Sequence, residues 1–165
     1  MTRTETNEFW KLFRPSACSL DLQGHDPSEV FEEILGNMVK AKVLAGEWRA
    51  DALDALLQRE RTASTGVGRK VAIPHVQLTG LESACVSISL HRSGVEWNAL
   101  DGEPAQIFFT VLRPDKAGSK HDPARHLLMM RWIAQLGRDD DFRRFALGVK
   151  TRSALVDLLK EKSAV

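Results

Sequence analysis

Cysteine is scarce in this 165-residue chain: Cys18 and Cys85 stand far apart and have no metal-ligand company. That excludes a disulfide framework and points to reduced thiols in a cytoplasmic setting. Net charge is as sparse, 23 Lys and Arg against 22 Asp and Glu, so no global field argues for nucleic acid or for an anionic membrane. Trp10, Trp48, Trp97 and Trp132 are scattered and make no base-stacking platform. No apolar run approaches the roughly 20 residues that cross a bilayer, which argues against membrane insertion. The opening Met1–Glu8 lacks the apolar centre of a secretion signal. No histidine pair has zinc-site spacing, and Gly66–Lys70 lacks the spacing of a nucleotide-binding P-loop. Asp139–Asp141 reads as an acidic helix start rather than a Mg²⁺ site.

What is present suits one globular unit. Hydrophobic residues make up 43% and charged residues 27%, enough to enclose a core and too apolar for wholesale disorder. No linker or internal repeat divides the chain, so the expectation is a single domain over 1–165 with a core of about 10–162. A short first strand is expected over Ala17–Leu22. Asp26-Pro27 supplies a cap and a first-turn proline for a helix through about Ala45, with Val30, Phe31, Ile34, Leu35 and Met38 at helical spacing. A second helix is expected over Arg49–Arg61, then strands over Lys70–Pro74, Ala84–His91 and Ala105–Leu112. Val86, Ile88 and Leu90 alternate with Ser87 and Ser89, whereas Ile107–Leu112 is nearly unbroken, as in a strand covered on both faces. Helices over Pro123–Leu136, stopped by Gly137, and Asp139–Leu147 precede a last one capped by Thr151 or Ser153. The element order is β-α-α-β-β-β-α-α-α.

The most informative stretch runs from Arg59-Glu60 through Ser64-Thr65-Gly66-Val67-Gly68 to Val71-Ala72-Ile73-Pro74-His75. A small-residue turn, a short apolar strand and a terminal imidazole together present a nucleophile beside groups able to hold phosphate. Neutral imidazole carries a lone pair near physiological pH. Gly66 and Gly68 allow close approach of the backbone, an arginine offers several donors in a planar fork, and hydroxyls at Ser64 and Thr65 add more. Turn stabilisation competes as a role for those hydroxyls. Glu60 reads as solvated or ion-paired, and His25 and His91 as packing or surface residues.

These residues, with Leu100–Ala105, Phe108–Pro114 and His126-Leu127, resemble the mannitol/fructose-type enzyme IIA domains of the bacterial phosphotransferase system, nearest to the stand-alone nitrogen-regulatory subgroup. The resemblance implies a three-layer α/β/α sandwich with a mixed central sheet. It implies a phosphoryl carrier in sugar transport or nitrogen regulation. His75 would accept a phosphoryl group from phosphorylated HPr and pass it to an enzyme IIB or use it to control a regulatory target protein. Neither metal nor nucleotide cofactor is required. It further implies His126 as the second active-site histidine, with His121 a competitor because the Arg113–Arg125 connection is long. Arg59, Ser64, Thr65, Gly66 and Gly68 would bind phosphate. The chain departs from the family pattern at Arg69-Lys70 and at Val76, which leaves open a non-catalytic interaction module of the same fold.

Overall fold

The computed structural model describes residues 7–163; Met1–Thr6, most of the segment read for a secretion signal, and the last two residues lie outside the described residues. At its centre runs the long apolar strand of the sequence. We number the helices α1 (Pro27–Lys40), α2 (Arg49–Thr62), α3 (Pro123–Arg138), α4 (Asp140–Gly148) and α5 (Arg152–Glu161). The strands are β1 (Gly66–Gly68), β2 (Val71–Ala72), β3 (His75–Leu78), β4 (Cys85–Val95) and β5 (Ala105–Pro114). β5 is flanked by antiparallel β4 on one side and, on the other, by β2 and β3, which run parallel to it end to end in one lane. Val71 sits opposite Ile107 and His75 opposite Val111, so the lane keeps its register across Ile73-Pro74. β1 pairs antiparallel with β2 on the outside.

Alternation along the strands feeds two cores. Val71, Ile73, Ile88, Leu90, Ile107, Phe109 and Val111 pack with α3, α4 and α5. Ala72, Leu78, Phe108 and Leu112 pack with α1, α2 and Trp97. The three layers are those the resemblance implies. Ser87, Ser89 and Thr110 face the second core and are fully buried, so β4 is covered on its serine face as well. Trp97 is the pivot of that core. Its ring lies edge-on to Phe108 at 4.7 Å and to Phe31 at 5.4 Å, and its Nε1 donates to the Thr65 hydroxyl at 3.1 Å.

Four helix starts carry side-chain caps, of which the sequence reading named Asp26 and offered Thr151 beside Ser153. Asp26, Asp122, Asp139 and Thr151 each accept from a backbone N–H of the first turn, which settles the last cap on Thr151. Other expectations need correction. Ala17–Leu22 is no strand: a 3₁₀ turn takes Pro15–Ala17, and the Ser19 hydroxyl turns back to the Asp21 N–H, a local bond that competes with a ladder. Only Ser19 bridges to Ser89, with the Leu22 N–H donating to the Leu90 carbonyl. α1 ends at Lys40 instead of Ala45, because Lys42 turns left-handed (φ 61°) and the Val43 and Leu44 N–H groups close on the Met38 carbonyl. Gly137 lies inside α3 and does not stop it; a Cβ there would sit 3.4 Å from Val71, so glycine lets the helix press on β2.

The expected strand Lys70–Pro74 is divided. Arg69 and Lys70 (φ 56° and 69°) form the tight β1–β2 turn, Pro74 interrupts the lane, and His75 opens β3 instead of closing β2. Replacing Trp97 with alanine is expected to cost about 3–5 kcal/mol, read as a lower urea midpoint, because it empties a packed ring site and leaves Thr65 without its indole donor. A midpoint within experimental error of the parent chain would refute this account of the core.

Candidate active site

His75 enters β3 directly after Pro74, on the face of the sheet that meets α3. Its Nδ1 lies 2.7 Å from the carbonyl oxygen of Ile73. A carbonyl only accepts, so Nδ1 carries the proton and Nε2 keeps the lone pair. Ile73 is on the outer edge of the lane, where its own N–H donates to Thr65 at 3.0 Å. β1 ends before it can reach further, and the Ile73 carbonyl is left for the imidazole.

The half-buried imidazole lines an open cleft of about 430 Å³ whose other walls are Ala55, Gln58, Arg59 and Thr62 from α2, Val76 and Gln77 from β3, and Arg113 from β5. Arg59 is therefore in the cleft, with its Nη1 donating to the Ala63 carbonyl at the end of α2, 2.6 Å away. Arg113 was not singled out in the sequence. It is two residues beyond Val111, which faces His75, so it shares that face, and among the described residues it makes no ion pair. One signal pointed to it: it is the first charge after the apolar run of the central strand, at the carboxyl end of parallel strands, where α/β sheets collect ligands.

His126 lies in the second turn of α3, its backbone N–H bonded to Asp122 at 2.9 Å. Burial, with the Arg113 guanidinium, His121 and His75 acting on it, pushes its imidazole down to about 4. It is therefore neutral at physiological pH and close enough to feel charge on His75. His121 and His126 are both present: their ring centroids are 5.3 Å apart at 63°. A recess of about 190 Å³ beside them is lined by Phe9, Leu12 and Met129.

The remaining residues singled out in the sequence stand elsewhere. The Ser64 hydroxyl donates to the Trp97 carbonyl and accepts from the Gly66 N–H at 3.0 Å. Thr65 is buried, its N–H and hydroxyl both donating to the Glu60 carboxylate at 2.7 and 2.5 Å. Glu60 is half-buried, makes no ion pair among the described residues, and holds the turn. Gly66 fits against Ala99, and Gly68 (φ 88°) against Asp101, whose carboxylate accepts from the Arg69 N–H at 2.7 Å. None of Ser64, Thr65, Gly66 or Gly68 lines the His75 cleft. Ser64 and Trp97 instead line a separate cavity of about 680 Å³ with His25 and Asp26, which contains no histidine of the cluster.

Two of the departing residues have local settings of their own. Arg69 reaches toward the carbonyl of Arg138 at the far end of α3, about 18 Å along the helix from His126. Val76 packs with the α1–α2 core on the sheet face opposite His75 and also forms a wall of the cleft. Cys18 and Cys85 are buried, and burial pushes both thiols up to about 11.

Residues 11–162 match the model of the family described as phosphoenolpyruvate-dependent sugar phosphotransferase system, EIIA 2. The chain is 30% identical over 148 residues to a nitrogen regulatory protein of Bradyrhizobium diazoefficiens, covering 90% of this chain and 92% of that protein. It is 31% identical over 113 residues to a fructose-specific EIIA component of Haloferax volcanii, covering 68% and 70%. It also aligns with a fructose-specific EIIABC component of Bacillus subtilis at 24% identity, where it spans only 23% of that longer protein. The nitrogen regulatory protein IIA-Ntr of Neisseria meningitidis superposes with a TM-score of 0.80 at 25% identity, covering 93% of this chain and 99% of that one.

The His126 environment has a consequence for stability. The folded ring titrates near 4 and the unfolded ring near 6.5. Between those values the unfolded chain binds a proton that the folded one refuses, so stability falls as pH drops through this window and levels off below it. Urea midpoints measured from pH 7 to 4 should fall less steeply in His126→Gln than in the parent chain; parallel profiles would contradict the assignment.

Proposed function

The chain belongs to the EIIA 2 family of the phosphoenolpyruvate-dependent sugar phosphotransferase system, and on that premise we propose that it is a phosphoryl carrier that loads His75. The observation that carries this reading is the Nδ1 bond to Ile73, which leaves Nε2 as the nucleophilic nitrogen of a ring that lines an open, cationic cleft.

Transfer needs alignment and charge stabilisation more than covalent chemistry from the protein. The Nε2 lone pair forms a bond to phosphorus as the phosphorus–nitrogen bond of a phosphohistidine donor breaks, and the donor imidazole leaves with that electron pair. Nδ1 keeps its proton throughout, and the Ile73 carbonyl supports the positive charge that builds on the ring. Arg113 and Arg59 are the groups that meet the spread negative charge of the phosphoryl oxygens. His126, neutral and close by, offers one N–H. Phosphorylated HPr is the donor that fits this scheme. The acceptor is an enzyme IIB, or the group stays on His75 and sets how the chain binds a regulatory target. The nitrogen regulatory protein of Bradyrhizobium diazoefficiens supports the second outcome, since it matches nearly end to end. The site operates in the cytoplasm, where such donors and reduced thiols are found; among the described residues no helix is long and apolar enough to cross a membrane.

Incubation with enzyme I, HPr and labelled phosphoenolpyruvate tests the proposal. The parent chain should take label and His75→Ala none, and the label should be acid-labile and base-stable, as a phosphohistidine is. No label under conditions that load a known IIA domain would leave a binding-only module. Arg113→Ala should slow loading by about 10²-fold, the typical cost of one lost charge-stabilising donor, with Arg113→Lys between. Loading of Arg113→Ala at the parent rate would remove that residue from the site.

A further inference from the structure

Asp122 caps α3, which makes His121 the residue before the cap and His126 the fourth helical residue. Side chains at these two positions commonly meet in a staple that fixes how a chain enters its helix, and both are ordinarily apolar. Here both are imidazoles. A tight turn delivers the outer one: the Gly118 and His121 backbones exchange two hydrogen bonds of 3.1 and 3.2 Å, and Lys120 is tied to Glu82 at 3.2 Å.

His121 is an expensive choice for such a place. It is 7% exposed, and its Nε2 is buried without a hydrogen-bond partner. A buried unpartnered nitrogen is destabilising, and an apolar side chain would avoid that cost. Yet the ring separation suits a bond not yet made. Two imidazoles joined by an N–H···N bond of about 2.9 Å have centroids roughly 5.2 Å apart, and these stand at 5.3 Å with their planes tilted by 63°. Ring rotation is all that is missing.

We propose that His121 is a positioning residue for phosphoryl transfer, making its hydrogen bond to His126 when His75 carries the phosphoryl group. The His121 Nε2–H donates to the lone-pair nitrogen of His126, and the other His126 nitrogen turns its N–H onto a phosphoryl oxygen. Neutral His126 has one ring proton and one lone pair, so the relay uses both of its nitrogens and moves no proton. The phosphorus–nitrogen bond made and broken is the one already described. This inference rests on the carrier reading of His75.

Stability and rate separate this role from plain packing. His121→Phe keeps the staple and removes the buried nitrogen, so its thermal midpoint should rise while loading of His75 at saturating phospho-HPr slows about tenfold with KM unchanged. His121→Asn, which returns a donor, should recover part of the rate. In nitrogen-edited spectra of the parent chain, a slowly exchanging His121 ring N–H should emerge only after phosphorylation. His121→Phe loading at the parent rate, or a His121 ring signal indifferent to phosphorylation, overturns the relay and leaves the carrier intact. A parent chain that takes no label overturns the carrier and the relay with it.

Discussion

The hydrogen bond between His75 Nδ1 and the Ile73 carbonyl is the contact to which the rest of the site is fitted. It selects the tautomer, turns the ring, and decides which nitrogen is free to react. Its partner exists because the lane beside β5 is broken. Pro74 has no N–H, and β1 is only three residues long, so one carbonyl at the break has no strand to bond. The contact beside this irregularity is what fixes Nδ1 as the protonated nitrogen of His75.

Around that ring the chain arranges charge by burial and by reach. Arg113 comes from the central strand, the most rigid element available, whereas Arg59 comes from the end of α2 and is shared with its own helix carbonyl. His126 is kept neutral beside them mainly by burial. A cluster of three imidazoles and two guanidiniums would repel itself if all were protonated. With His126 neutral, the Arg59 and Arg113 guanidiniums present a modest positive field beside His75.

Much of this was legible in the sequence. The layers followed from periodicity, because an unbroken apolar run such as Ile107–Leu112 has to be covered on both sides. The Asp26 cap was read correctly because Asp-Pro before helical spacing has a local cause, whereas the caps at Asp122 and Asp139 were not named. His75 stood out through its turn, strand and proline context. Local sequence reading fails where tertiary contacts redirect a residue. Ser64 and Thr65 have the chemistry of phosphate ligands, but Trp97 and Glu60, 33 and 5 residues away, occupy their hydroxyls. Gly137 resembles a helix stop until Val71 is seen against it. Arg113 was hidden because register, unlike composition, cannot be read from one strand. The pairing of His121 with His126 was within reach, since the cap at Asp122 fixes both positions relative to the helix.

The segment from Ser19 to Leu22 has a consequence beyond being an incomplete strand. It lies along the outer side of β4, and its two backbone bonds with Leu90 occupy groups that would otherwise face outward. At the opposite margin β1 is short, bulged and followed by a left-handed Arg-Lys turn. Neither border of the sheet therefore offers a long flat template for strand addition. The sheet is in this way guarded against strand-by-strand growth between copies of the same chain.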